Sequence, residues 1–158
     1  MKKILPLVLV LLSSVTLFSQ DSQEELQMIM SLFGTEKDLI VKEFVKAEGA
    51  SFDKFWSLYL EFEKVRKELG LKKYRVLNKY VKSYNALPEN ELDEIMKEII
   101  SLTSTQDKLI ASYYKKVKKE CGIAVAAQFY QIEWYLLSEI RTAILENIPV
   151  FSDLDKRK

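Results

Sequence analysis

Glu133 and Arg141 are the charged side chains that intrude on the apolar side of the last helical stretch, among Tyr130, Trp134 and Leu137. A sheltered carboxylate near a guanidinium is the chemistry of a proton-handling site. It is also that of a structural ion pair that fixes helix register, the commoner use of buried charge. Eight residues separate the two, too many for a close pair within one helix, so each is expected to find its partner on another. The usual catalytic partners are missing: the chain has no His, and Cys121 stands alone. Ser-His and Cys-His nucleophiles and the commonest zinc ligand are thereby removed. The acidic residues from Glu89 to Glu98 read as solvated carboxylates at a helix start, which need no metal. No phosphate loop occurs, no cofactor is expected, and the chain reads as a non-enzyme.

A second candidate set is aromatic. Phe52, Phe55, Trp56, Tyr59 and Phe62 recur three and four residues apart. Such a stripe builds ordinary core, or lines a concave face that grips an unfolded chain or a partner helix. On the second reading Phe55, Trp56, Tyr59 and Phe62 are the binding residues.

These side chains need helices to position them, and only 4 Gly and 3 Pro in 158 residues leave the chain free to form long ones. Apolar spacing predicts a short helix over 23–33 and a core helix over 36–47 carrying Leu39, Ile40, Phe44 and Val45. A long helix follows over 51–85, bending near Gly70 or divided there into two. Pro88 suits the first position of the next helix, which carries Leu92, Met96, Ile99, Thr103, Gln106, Ile110, Tyr113 and Val117 on one stripe and reaches Glu120. Gly122 breaks the pattern, and a last helix runs from Ile123 to Asn147, closed by Pro149. It is apolar around most of its circumference, as expected of a helix packed against several neighbours. The expectation is an all-α bundle of about four helices with a long antiparallel hairpin, residues 21–152 forming a single domain and 153–158 a charged tail.

Charge supports the hairpin. Between Lys64 and Lys82 there are eight basic residues and one acidic one. Folded at Asn85 to Pro88, residue x faces residue 174 − x, which sets Lys82 against Glu91 and Asp93, and Lys79 against Glu94. Arg75 comes near Glu98, and the cluster Lys115, Lys116, Lys118, Lys119 near Glu61, Glu63 and Asp53. Solvated complementarity within the hairpin explains the basic run better than an acidic partner does.

Lys2 and Lys3, an apolar run from Ile4 to Phe18 and the polar Ser19-Gln20-Asp21 have the order of a secretory signal peptide over residues 1–20. The run is about 15 residues, short of the ~20 a spanning helix needs, and none of that length follows, so no membrane segment is expected after cleavage. Without Lys2 and Lys3, 22 basic residues stand against 23 acidic ones, a balance that calls for no nucleic acid. The expected location is periplasmic or secreted.

Phe55-Trp56-Ser57-Leu58-Tyr59 with Phe62 and Glu63, and Gln128-Phe129-Tyr130-Gln131-Ile132-Glu133 running through Arg141 to Ile148-Pro149, resemble an uncharacterised family of small exported bacterial helical proteins. That family has an FWxxY-like helix start, a charged hairpin and a QIE…IP closing helix. It often carries proline where Ser57 stands and asparagine where Trp134 stands. In size and layout it is similar to the periplasmic Spy and CpxP proteins, whose LTxxQ signature Leu102-Thr103-Ser104-Thr105-Gln106 spells within a continuous helical stripe.

A long hairpin rich in aromatics, with charges of both signs and no chemical machinery, suits reversible contact with polypeptides. The expected function is an exported binding protein of the cell envelope, chaperone-like towards unfolded or partner polypeptides. The alternatives are a signalling adaptor for an envelope sensor, as the CpxP resemblance implies, or a structural oligomer subunit. The surplus apolar surface of the last helix leaves room for a homodimer.

Overall fold

The computed structural model describes residues 37–83 and 86–147. The expected signal peptide, the helix over 23–33 and the charged tail lie outside them. The fold is all-α, and no strand occurs among the described residues. The chain divides into two compact units, one ending at Lys46 and one beginning at Ala47. In the first, residues 37–44 are helical (α1), and Val45 N–H donates to Val41 O at 2.8 Å. Lys37, Ile40, Val41 and Val45 are its buried positions, whereas Leu39, expected in the stripe, is exposed.

The second unit has three helices: α2 (Ala50–Ser83), α3 (Glu89–Cys121) and α4 (Ile123–Asn147). Helix α2 starts beyond Gly49, at φ 55, with Asp53 in its first turn and Lys82 in its last, both suited to the helix dipole. It passes through Gly70 without interruption. Helix α3 opens on Pro88, which is its N-cap rather than its first helical residue: φ −65 and ψ 152 place Pro88 outside the helix while its carbonyl accepts from Leu92 N–H at 3.0 Å. Gly122 serves two helices. Its N–H donates to Lys118 O at 3.2 Å to close α3, and its carbonyl accepts from Ala126 N–H at 3.2 Å to open α4. A reversal through one residue needs its φ of 89, open to glycine and strained for other residues.

Helices α2 and α3 form the antiparallel hairpin. Cys121 Sγ lies 3.6 Å from Ser51 O, Lys54 pairs with Glu120 at 3.9 Å, and the rings of Phe62 and Tyr113 sit 5.4 Å apart. These contacts follow the expected register closely. Nearer the turn Lys79 pairs with Glu91 at 3.8 Å, one helical turn from the expected Glu94.

Helix α4 turns back along α3 from Gly122, its Tyr130 beside Tyr114 and its Arg141 beside Asp107. There Phe55, Tyr59 and Phe62 of α2, Tyr113 and Val117 of α3, and Phe129 and Ile132 of α4 are buried. Phe62 meets an aromatic ring on each neighbour, Tyr113 at 5.4 Å and Phe129 at 5.2 Å. Towards the turn, Val76, Tyr80 and Ile95 form a separate core with Leu87, Leu92, Ile99 and Leu102 around it. Ile95 was not in the expected stripe, because Leu92, Ile95, Met96 and Ile99 offer two adjacent apolar faces and only the hairpin's rotation selects between them.

Candidate functional site

Two places gather side chains with chemistry: a buried charge cluster inside the three-helix part, and an exposed seam between α3 and α4. The cluster begins with Arg66, one turn beyond Glu63 on α2. Its Nε donates to Glu63 Oε1 at 2.6 Å and its Nη2 to Oε2 at 2.8 Å, a two-pronged pair. Glu63 and Glu133 are each only 3% exposed. Burial opposes the charge on Arg66, but the hydrogen-bonded and electrostatic pull of Glu63, with Glu133 and Tyr59 adding to it, outweighs burial and holds the guanidinium above the ordinary arginine range. Glu133 of α4 thus faces a cation on α2. Glu63, expected near the lysines of α3, is turned inward to Arg66 instead, and Lys116 lies 4.1 Å over the Tyr113 ring.

Arg141 sits in a different place. Its Nη2 donates to Asp107 Oδ1 of α3 at 3.0 Å, and it repels Lys73 of α2. One charged side chain from each helix meets there, where α4 draws towards its end. Glu133 and Arg141 therefore belong to two separate clusters.

The aromatic candidates divide. Phe55, Tyr59 and Phe62 are buried, so the expectation that they present a gripping face is corrected: their rings are consumed by packing against one another and against Tyr113 and Phe129. Trp56 is half-buried, its ring edge-on to Phe52, Phe55 and Tyr59.

Exposed apolar side chains are scattered along α2, at Phe52, Leu60, Val65 and Val81, and gather on one side of α4. Helix α4, expected to pack against several neighbours, leaves Ile123 56%, Tyr130 44% and Trp134 60% exposed. Packed on α2 through Phe129 and on α3 through Tyr130, α4 keeps one side at the surface. Spacings of four, three and four place Ile123, Ala127, Tyr130 and Trp134 on one stripe. Tyr130 lies edge-on to Tyr114 of α3 at 5.9 Å, and Arg141 continues the stripe to Asp107. Along α3 the adjoining stripe is Ile100, Ser104, Asp107, Ala111 and Tyr114, with Ile100 62% exposed. A shallow depression lined by Ile99, Ile100, Thr103, Ser104, Asp107, Lys108 and Ala111 forms its upper part. From Ile123 to Ser138 the sole charged residue is Glu133, which is buried, in a chain of which 30% of residues are charged. Depletion of charge with exposed Tyr and Trp is the composition of an interface core. The signal in the sequence was the all-round apolarity of α4, which reads both as packing against several helices and as surplus surface for an oligomer.

Cys121 is half-buried at the α3–α4 junction, where burial raises its thiol pKa. The LTxxQ-like segment lies inside α3, with Thr105 Oγ1 donating to Ser101 O at 2.8 Å. Among the described residues no group of three or more Cys, Asp or Glu is arranged to hold a metal, and no helix is long and apolar enough to cross a membrane. No family model, curated protein or solved structure matches the chain.

Proposed function

We propose that this chain is an exported helical binding protein of the cell envelope, chaperone-like towards polypeptides, and that its working surface is the α3–α4 seam. The observation that carries this reading is the uncharged stripe of Ile123, Ala127, Tyr130 and Trp134, flanked by Tyr114 and Ile100 and left exposed by its own fold. Aromatic side chains bury large areas against a partner with few rotors to freeze, and the exposed lysines of α3 beside them add attraction to acidic segments. Export is supported by Lys2-Lys3 and the apolar run Ile4 to Phe18. The buried Glu63–Arg66–Glu133 cluster acts as structure, holding α2 and α4 in register, and the protein acts by contact rather than by catalysis. A structural oligomer subunit is the second reading, favoured by the same lack of charge on α4.

An aggregation assay tests this. The purified protein is expected to delay aggregation of reduced, unfolded lactalbumin, and Trp134→Glu to abolish the delay while keeping its helical circular dichroism. A wild-type protein with no effect on that reporter refutes the chaperone-like reading.

A further inference from the structure

We infer that the seam is built to receive a second copy of this chain, packed face to face and antiparallel, so that self-association covers the surface that binds polypeptides. This rests on the proposed role of the seam and names its resident partner.

The two cross-links along the seam set its levels. Tyr114 faces Tyr130 and Asp107 faces Arg141, so Trp134 comes level with Ala111, midway between them. A twofold axis across the helices at that level lays α3 on its own copy and α4 on its own copy. Residue x of α3 then meets residue 222 − x of the partner copy. Asp107 faces a lysine at position 115, twice over by symmetry, and both residues are exposed. Ser104 faces the lysine at 118, and Lys108 faces the tyrosine at 114. Ile100, the most exposed large apolar side chain of α3, faces position 122, where the glycine has nothing within 4 Å of the place a Cβ would take. On α4, Tyr130 faces Ser138 and Ala127 faces Arg141. No like charges are opposed along either helix, the condition a self-complementary interface has to meet.

Size and shape agree. The stripe from Ile100 to the level of Ile123 is about 35 Å long at 1.5 Å per residue. Two helices side by side, each about 10 Å across, make this a face of roughly 700 Å² per copy. A standard stable interface buries about 800 Å² per partner. Small residues stand along the middle of the α3 stripe, Ser104 and Ala111, where two helices must approach closely, and Trp134 supplies the large central anchor.

Sedimentation across a concentration series, with the lactalbumin assay in parallel, is the test. The wild-type protein is expected to dimerise, Trp134→Glu to weaken the dimer by at least about 30-fold, the loss typical of a central aromatic anchor, and Lys115→Glu to weaken it by a smaller factor. Ala111→Cys, in a Cys121→Ser background, is expected to form a covalent dimer on mild oxidation, because position 111 lies on the axis. A dimer unmoved by Trp134→Glu, or an Ala111→Cys protein that does not cross-link while the dimer persists, overturns this geometry. A wild-type protein that is monomeric yet suppresses aggregation through Trp134 overturns the self-association and leaves the binding role standing; a monomer without that activity overturns both.

Discussion

Arg66 grips Glu63 with both arms of its guanidinium inside one turn of α2, at 2.6 and 2.8 Å, and the same cation faces Glu133 on α4. Two nearly inaccessible carboxylates thus act on one arginine, Glu63 by hydrogen bonds and Glu133 by its charge. Arg66→Met is expected to cost about 3–5 kcal/mol, the loss typical when one member of a buried ionic group is removed. Arg66→Lys is expected to recover only part of this, since an ammonium cannot reproduce the fork. Urea unfolding checks both. Because the pKa of Arg66 is raised on folding, the part of its contribution that depends on its own proton is complete below the ordinary arginine value and is lost only as pH rises through the raised one.

Glu133→Gln separates structure from chemistry. The structural role predicts a lower urea midpoint at every protein concentration, with any residual polypeptide binding scaling with the folded fraction. A fully stable variant that loses function would instead assign Glu133 to the working site.

Phe62 and Trp134 are both large aromatics on helices, with opposite expectations. Phe62 touches rings on both neighbouring helices and is fully buried, so Phe62→Ala is expected to cost about 3–5 kcal/mol. Trp134→Ala on the exposed stripe is expected to change stability by less than about 0.5 kcal/mol when measured on the monomer. Thermal melts at low protein concentration make the comparison.

Gly70 and Gly122 also part company. Gly70 lies within α2 with nothing within 4 Å of an added Cβ, so Gly70→Ala is expected to stabilise by about 0.5–1 kcal/mol. Gly122 has the same open space, but its φ of 89 makes Gly122→Ala destabilising by about 1 kcal/mol or more. Urea midpoints of the two variants should move in opposite directions.

Lys73 is set against the fold. Burial first, and then repulsion from Arg141, lower its pKa, with Asp107 offsetting part of the effect. A lysine whose pKa falls on folding binds its proton more weakly in the native state, so stability rises as pH climbs through the lowered value towards the ordinary one. Lys73→Met is expected to stabilise the protein at pH 7 by a few tenths of a kcal/mol, since Lys73 is partly solvated. That gain should shrink by pH 10 in paired unfolding curves.

The order of the described helices and the bounds of the three long ones, to within two or three residues, were legible from local chemistry, whereas the helix expected over 36–47 already ends at residue 44. Gly49, Pro88 and Gly122 mark real ends because each restricts or frees the backbone whatever surrounds it, and α4 was bounded to the residue, Ile123 to Asn147. Hairpin register was legible too, to within a turn, because blocks of opposite charge face each other across the two helices. Which apolar stripe would be inside was not. Phe62 and Trp134 look equivalent in a periodic pattern, and so do Glu63 and its charged neighbours. Their fates depend on how many helices surround each one and on which side. Tertiary packing gave Phe62 an aromatic neighbour on α3 and another on α4 and drew Glu63 inward to Arg66, while the rotation of α4 against α2 and α3 kept Tyr130 and Trp134 at the surface. Periodicity reports that a face is apolar; burial is a property of the neighbours that reach it.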